Sequence, residues 1–125
     1  MSLIMIVDDY PDACDLLARL LQRLGHRVSC AHSGPEAALQ ILGSVLPDAV
    51  LLDHMMPGMS GIEVLRAMRA DRRFVATPVV LFTAMCDDKT RADAARAGAT
   101  DFWTKPIDAQ QFEPALARVL QHVSS

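Results

Sequence analysis

The stretch Ala49-Val-Leu-Leu-Asp-His-Met-Met-Pro-Gly-Met-Ser-Gly61 predicts more about the fold than any other part of the chain. Its apolar first part, Ala49 to Leu52, ends abruptly in the carboxylate of Asp53, and a loop with Pro57 and Gly58 follows at once. A continuous apolar run of this kind is typical of a parallel strand that is buried on both faces. The pattern therefore predicts a strand that presents Asp53 at the edge of a sheet.

Short apolar runs and helical patterns alternate on either side of this stretch. Further strands are predicted at Leu3 to Val7, Arg27 to Ala31, Val79 to Phe82, and around Phe102 and Trp103. Helices are predicted from Pro11 to Leu24, after Ser33, from Ser60 to Ala70, from Asp87 to Ala97, and from Asp108. Such alternation is typical of βα units around a parallel sheet. Right-handed crossovers then predict an α/β doubly wound sandwich with five parallel strands in the order 2-1-3-4-5 and helices on both faces.

Size and composition favour a single domain over residues 1–125. Half of the residues are hydrophobic, and a net charge of −3 gives no basic field for nucleic acid. No apolar run approaches the ~20 residues of a membrane span. Cys14, Cys30 and Cys86 have neither disulfide nor zinc spacing, which favours a reduced, cytoplasmic location. We expect neither direct nucleic acid binding nor membrane association.

Three helices carry specific expectations about packing. The fourth helix has almost only alanine at its apolar positions, so it should bury little area and be weakly anchored. Pro114 cannot donate a hydrogen bond to the carbonyl four residues earlier, so we expect a kink or a late start in the fifth helix. In the first helix, a stripe of leucines is expected to face the core: Leu16, Leu17, Leu20, Leu21 and Leu24.

Four arginines cluster at the end of the third helix, namely Arg66, Arg69, Arg72 and Arg73. The favoured interpretation is a solvated face that complements the negative end of the helix dipole. The alternative is a basic patch that docks a partner.

Polar side chains follow four of the five predicted strands. Asp8 and Asp9 follow the first strand, Asp53 the third, Thr83 the fourth and Lys105 the fifth. In the predicted strand order these groups converge on one edge of the sheet. Three carboxylates in one crevice repel each other unless a cation is bound, and Mg²⁺ (or Mn²⁺) suits their oxygen ligands. The pocket suits a tetrahedral dianion attached to a carboxylate nucleophile.

Each of these residues alone permits a simpler interpretation. Asp8 and Asp9 could be an acid pair at the start of a helix, where the dipole favours them. Asp53 could cap the third helix, although it lies far from its start. Thr83 and Lys105 carry little information singly. The prediction therefore depends on the combination of the right residue types at four strand ends.

Several motifs are specific only in combination. They are Val7-Asp8-Asp9, the loop from Asp53 to Gly61, Phe82-Thr83-Ala84, the segment from Gly98 to Phe102, and Lys105-Pro106. Together they make the sequence resemble the receiver domains of two-component response regulators, which have a chemotaxis-regulator-like fold. The resemblance covers essentially the whole chain.

The resemblance implies a metal-dependent phosphorylation site. Asp53 would be the phosphorylated residue. Asp9, Asp53 and the backbone carbonyl of Met55 would bind Mg²⁺ (or Mn²⁺) directly, and Asp8 would act in the acid pocket through a water molecule.

The resemblance also implies a switch. Thr83 would hydrogen-bond a phosphoryl oxygen and move toward it, and Phe102 would turn inward when Thr83 moves. Lys105 would pair with the phosphoryl group, and the peptide bond between Lys105 and the following proline is expected to be cis. The residues expected to take part in self-phosphorylation are Asp8, Asp53, Thr83 and Lys105.

Two methionines distinguish this chain from the usual receiver pattern. Met55 and Met85 stand two residues beyond Asp53 and Thr83, where the family's side chains flank the path of the hydrolytic water. Two thioethers orient water poorly, so we predict slow autodephosphorylation. Cys86 beside them is predicted to be an ordinary loop thiol, with a redox sensor as the alternative.

Two aromatic residues of the fifth strand also carry predictions. Phe102 lacks a hydroxyl, so an output that depends on a tyrosine hydroxyl is absent. Trp103 is expected to fill the core rather than to anchor a partner.

The implied function is a phosphoacceptor signalling switch, which is not an enzyme beyond its own phosphorylation and slow dephosphorylation. The expected donor is a sensor histidine kinase or a histidine phosphotransfer protein. Phosphorylation would change the surface of helix four, strand five and helix five, and so act on an unknown downstream protein or a fused output domain. We expect a monomer or a weak homodimer.

Two alternatives stay open at this point. A pseudo-receiver would bind partners without phosphorylation, but the complete set of acids, threonine and lysine argues against it. A hydrolase of the haloacid dehalogenase type needs a second aspartate two residues after the nucleophile, where this chain has Met55. The sequence names neither the kinase nor the output, and it fits a stand-alone protein or a fragment of a longer regulator or hybrid kinase.

Overall fold

The computed structural model of the protein describes residues 2–42 and 46–121. Within these residues the strands are β1 (Leu3–Val7), β2 (Arg27–Ala31), β3 (Ala49–Leu52), β4 (Val79–Thr83) and β5 (Asp101–Thr104). The α-helices are α1 (Pro11–Arg23), α2 (Gly34–Leu42), α3 (Gly61–Arg69), α4 (Asp88–Ala97) and α5 (Ala109–Gln121), and a short 3₁₀ helix spans Arg72–Phe74. None of the helices in the described part of the chain combines the length and apolar character of a membrane span.

All strands of the described sheet are parallel, and their order is β2-β1-β3-β4-β5. The predicted α/β doubly wound fold is therefore confirmed. The register pairs Val7 of β1 with Leu52 of β3, so the next residue of each strand, Asp8 and Asp53, lies at the same edge. The backbone N–H of Asp53 donates to the carbonyl of Val7 at 2.8 Å, which fixes this alignment.

The sheet separates two apolar clusters because successive strand residues point to opposite faces. One cluster contains Val50 and Leu52 of β3 and packs against α3, α4 and the 3₁₀ helix. The other contains Leu51 of β3 and packs against α1 and α5. Since β3 is buried on both faces, its run of apolar residues is explained.

Helix α1 faces the core with a different stripe from the predicted one. Leu17 and Leu21 are buried as expected, but the third fully buried position is Cys14. Leu16 is 63% exposed, and Leu24 is 37% exposed. The five leucines span about 140° of the helix circumference at 3.6 residues per turn. Leu16 lies at one end of this arc, on the side that faces away from the core. The prediction that Leu16 is buried was therefore wrong.

Helix α5 begins at Ala109 and contains Pro114, so a late start after the proline was a wrong expectation. Pro114 is exposed inside the helix, where it leaves the carbonyl of Gln110 without its helical N–H donor on the outer face. The opposite face buries Phe112, Leu116 and Val119 as predicted.

Helices α3 and α4 differ in what they bury. Helix α3 begins with a capping box between Ser60 and Glu63 and buries five residues. Helix α4 ends at Gly98, which adopts a left-handed conformation with φ of 101°, and buries only Thr90 and Ala94. The prediction that α4 buries little area is confirmed.

The arginine cluster at the end of α3 is not a uniformly solvated face. The guanidinium of Arg69 is half-buried and donates to the carbonyls of Phe74 and Thr77, both at 2.7 Å, and of Gly98 at 3.0 Å. Burial lowers the pKa of Arg69. Arg69 therefore joins the end of α3 to the 3₁₀ segment and to the end of α4, which the dipole interpretation did not predict.

Candidate functional site

The carboxyl ends of β1 and β3 bring three acids together. Asp8, Asp9 and Asp53 each offer a carboxylate oxygen, and these oxygens lie within 4.8 Å of one another. Asp8 and Asp53 are buried, whereas Asp9 is exposed. The backbone N–H of Asp8 also donates to the carbonyl of Ala31 in β2 at 3.0 Å, which holds the acid pair beside the edge.

Lys105 brings a positive charge to these acids from the end of β5. Its ammonium forms an ion pair with Asp8 and lies 3.8 Å from the Oδ2 atom of Asp53. The peptide bond before Pro106 is cis, as predicted. Asp8 receives a further hydrogen bond at its Oδ1 atom from the backbone N–H of Tyr10, at 3.0 Å.

The side chain of Asp53 is buried in a place where the charged carboxylate is disfavoured. Burial raises the pKa of Asp53 above its ordinary value, and the nearby charge of Asp8 acts in the same direction. Lys105 and the backbone N–H groups of His54 and Met55 oppose this increase in the pKa. The Asp53 carboxylate therefore lies in a buried pocket between one like charge and one opposite charge.

The loop after Asp53 packs tightly against the end of β3. Gly61 donates its backbone N–H to the carbonyl of His54 at 2.9 Å. A Cβ atom at Gly61 would lie 2.3 Å from the carbonyl oxygen of Asp53, so only glycine fits this approach. The glycine that begins α3 thereby fixes the backbone of Asp53.

Thr83 is buried at the end of β4. Its Oγ1 atom accepts a hydrogen bond from the backbone N–H of Met85 at 3.2 Å. Since this contact uses the hydroxyl as an acceptor, the hydroxyl hydrogen can still be donated elsewhere. The backbone N–H of Lys105 donates to the carbonyl of Thr83 at 3.0 Å, which ties the two strand ends together.

Phe102 is half-buried in β5 and lies under a guanidinium from α4. The Arg91 guanidinium carbon is 4.6 Å from the centroid of the Phe102 ring. The same side chain donates to the Oγ1 atom of Thr104 at 3.2 Å. Arg91 therefore links α4 to β5 at the predicted switch aromatic. No sequence pattern indicated this contact, because it joins an exposed helix position to a separate strand.

Trp103 lies in the core, as predicted. Its ring makes edge-to-face contacts with Phe82 and Phe112, at centroid distances of 5.9 and 5.8 Å. Its indole N–H donates to Asp101 at 3.0 Å, which satisfies the one polar atom of the side chain. The alternative of an exposed partner anchor is wrong.

The three cysteines differ in environment. Cys86 is exposed on the loop after Thr83, whereas Cys14 is buried against β1. The thiol of Cys14 lies 3.6 Å from the carbonyl oxygen of Asp8. Burial raises the pKa of Cys14 to about 12, so this thiol is unreactive at neutral pH.

Comparison with known proteins agrees with this geometry. The profile of the response regulator receiver domain matches residues 4–117. Chemotaxis protein CheY of Pseudomonas aeruginosa is 34% identical over 121 residues, which are 97% of this chain and 98% of that protein. Regulatory protein AtoC of Escherichia coli is 36% identical over 118 residues, 94% of this chain, but the chain spans only 25% of AtoC. The structure of chemotaxis protein CheY4 of Vibrio cholerae superposes with a TM-score of 0.89 at 27% identity, covering 95% of this chain and 98% of that one.

The acidic pocket of Asp8, Asp9 and Asp53 is consistent with the phosphoaspartate site of receiver domains and is typical of their magnesium sites. Because the receiver profile spans most of the chain, this chain belongs to the response regulator receiver domain family, whose domains are phosphoacceptor signalling switches rather than conventional enzymes.

Proposed function

We propose that Asp53 receives a phosphoryl group from a sensor histidine kinase or a histidine phosphotransfer protein. The observation that carries this assignment is the position of its carboxylate, which is buried at the end of the central strand β3 and faces Lys105 across 3.8 Å. Asp9 and Asp8 flank it in the same pocket.

The chemistry of the step is a displacement at phosphorus. An Asp53 carboxylate oxygen bonds to phosphorus while the bond between phosphorus and the donor's imidazole nitrogen breaks, and the imidazole keeps the electron pair. The ammonium of Lys105 has three hydrogens, so it can retain Asp8 while it donates to an oxygen of the arriving group. Its charge offsets the negative charge that the phosphoryl group brings into a buried site.

The donor set also fits a divalent metal. We expect Asp9, Asp53 and the backbone carbonyl of Met55 to hold Mg²⁺ (or Mn²⁺), with Asp8 acting through water, because hard cations prefer oxygen ligands. The bound ion would neutralise charge on the transferring oxygens.

The response begins at Thr83. Its hydroxyl hydrogen is available to donate to a phosphoryl oxygen on Asp53, the residue that ends the adjacent strand. Movement of Thr83 toward that oxygen would draw Phe102 inward and alter the contact of Phe102 with Arg91. The surface formed by α4, β5 and α5 changes as a result, which is a population shift between two arrangements.

The lifetime of the phosphoryl group depends on the two flanking loops. Met55 and Met85 are exposed beside Asp53 and Thr83, and neither thioether can orient a water molecule well. We expect slow autodephosphorylation. The measurement is the decay of phospho-Asp53 in the wild type and in Met55→Asn with Met85→Glu, which should decay faster. An equal or slower decay in the variant would remove this explanation.

Phosphorylation itself is tested with Mg²⁺ and acetyl phosphate, followed by intact-mass spectrometry. One phosphoryl group should be added to the wild type and to the control Asp15→Asn, whose acid is exposed on α1, but not to Asp53→Asn. No adduct, either from acetyl phosphate or from a phosphorylated histidine phosphotransfer protein, would favour a pseudo-receiver. Turnover of an added phosphoester would favour a hydrolase.

The wider setting follows the same proposal. Residues 1–125 form one receiver domain in the cytoplasm, as a monomer or a weak homodimer. Its net charge of −3 supports neither direct nucleic acid binding nor attachment to a membrane surface. The downstream partner is a separate protein or a fused output domain, since the relatives include a protein of nearly the same length and a longer one.

A further inference from the structure

In the described part of the chain, two methionines, Met55 and Met85, are exposed to solvent next to the phosphorylation site. The other described methionines are buried or half-buried. Met55 is 56% exposed and Met85 is 40% exposed. By contrast, Met5, Met56 and Met68 are buried in the core. Met59 is half-buried against the same core. Exposure thus separates the two methionines of the site from the structural ones.

The backbones of both exposed methionines act on groups that the proposed reaction uses. The backbone N–H of Met55 lowers the pKa of the Asp53 carboxyl, against the larger effect of burial. The backbone N–H of Met85 donates to the hydroxyl of Thr83 at 3.2 Å. Since β3 and β4 are neighbours in the sheet, the two thioethers follow adjacent strand ends.

We propose that Met55 and Met85 form an oxidation site at which conversion to the sulfoxide shortens the lifetime of phospho-Asp53. The proposal rests on the phosphorylation of Asp53 proposed above. It names a modification that regulates the same site, and the oxidant is a peroxide.

The oxidation step is balanced without any further reactant. The thioether sulfur donates an electron pair to one oxygen of hydrogen peroxide, the O–O bond breaks, and an S–O bond forms. The departing hydroxide takes up the remaining proton and becomes water. The sulfur is oxidised by two electrons and the peroxide is reduced by two. Methionine sulfoxide reductases reverse the change.

The effect on the site follows from hydrogen bonding. A thioether is a weak acceptor, so it leaves a nearby water unoriented. A sulfoxide oxygen is a polar acceptor on the same flexible side chain. At Met55 or Met85 it can hold a water beside the phosphoryl group, which increases the fraction of time in which that water is positioned for attack. Oxidation should therefore accelerate dephosphorylation.

Cys86 is the other exposed sulfur next to this site and requires a control. It is adjacent to Met85 in the chain, and a peroxide can oxidise its thiol as well. Cys86→Ser removes this competing reaction. The buried Cys14 does not compete, because burial raises its pKa to about 12.

The first experiment maps oxidation in the Cys86→Ser protein. Treatment with increasing hydrogen peroxide, followed by peptide mass spectrometry, should oxidise Met55 and Met85 at least about tenfold faster than Met56 and Met68, because the latter are buried. Comparable oxidation of all four would overturn the proposal. This measurement does not require phosphorylation.

The second experiment measures the half-life of phospho-Asp53 after loading with acetyl phosphate and Mg²⁺. Peroxide treatment should shorten the half-life of Cys86→Ser at least about twofold, and methionine sulfoxide reductases should restore it. Cys86→Ser carrying Met55→Leu and Met85→Leu should show the same half-life before and after treatment, whereas a version with Met59→Leu should respond fully. Each variant is compared with its own untreated sample.

The outcomes separate the two proposals. If phospho-Asp53 forms but its half-life is unaffected by oxidation, or is affected equally in the double leucine variant, the oxidation proposal is wrong and the proposed function stands. If no phosphoryl group is added to the untreated protein, either from acetyl phosphate or from a phosphorylated histidine phosphotransfer protein, the proposed function is wrong, and the oxidation proposal falls with it.

Discussion

Helices α3 and α4 pack on the same side of the sheet and touch each other, but different forces hold them there. Helix α3 inserts Ile62, Val64, Leu65 and Met68 into the core. Helix α4 contributes only small apolar side chains, the buried Ala94 and the partly buried Ala97, and adds polar contacts from Thr90 and Arg91. Helix α3, which follows the Asp53 loop, is therefore firmly packed on the sheet. Helix α4, which follows the Thr83 loop, is weakly anchored, as the proposed switch requires.

The largest expected effect comes from truncating α3. Leu65→Ala removes a fully buried side chain and should lower the free energy of unfolding by about 2–5 kcal/mol. Denaturant unfolding followed by circular dichroism measures this loss. Leu16→Ala on α1 is the matched control, because that leucine is largely exposed and its removal should cost little. Similar losses in the two variants would break the comparison.

The next effect concerns the side chain that joins the two helices. Arg69→Met leaves the carbonyls of Phe74, Thr77 and Gly98 without their charged donor. We expect the free energy of unfolding to fall by about 2 kcal/mol. Arg66→Met, one turn earlier and exposed, should be nearly neutral. If the two variants unfold alike, Arg69 belongs to the solvated face that its sequence context suggested.

A smaller effect is expected at the contact between α4 and β5. Arg91→Gln removes the guanidinium from the Phe102 ring and should cost about 0.5–1 kcal/mol. The more informative measurement is hydrogen exchange. In Arg91→Gln the backbone amides of α4 should exchange faster, while the exchange rates of the α3 amides should stay unchanged. Arg96→Gln, on the same helix but paired only with Asp93 in the described contacts, is the control. Equal exchange in α3 and α4 would contradict the comparison.

The smallest effect is expected on the outer face of α4. Lys89 forms an i,i+4 ion pair with Asp93 at 3.0 Å but is almost fully exposed. Such pairs are screened by water and salt. Lys89→Ala should therefore leave the Tm unchanged within error, at low and at high salt. A clear decrease at low salt alone would show that surface charges, and not only Arg91, help to hold α4.

The sequence predicted β1, β3 and β4 closely because each is a largely buried, continuous apolar run. It also predicted that Asp8, Asp53 and Lys105 meet, since parallel strands end at one edge. It failed where a contact depends on distant parts of the chain. Periodicity cannot report that Arg69 reaches Gly98.

Helix α1 shows a second limit of sequence patterns. Leucine spacing marked an apolar arc, but only packing decided that Cys14 lies inside and Leu16 outside. Small and sulfur-containing residues take core positions readily. A pattern that counts only leucines therefore places the buried stripe too far to one side.

The contact between Asp8 and Lys105 joins residues that are 97 positions apart. During translation Asp8 is therefore synthesised well before Lys105. A chain synthesised only as far as β4 contains the three acids and Thr83. It lacks the ammonium of Lys105, which offsets the charge of the acids. The charge balance of the acidic pocket therefore requires the first and the last strand of the sheet together.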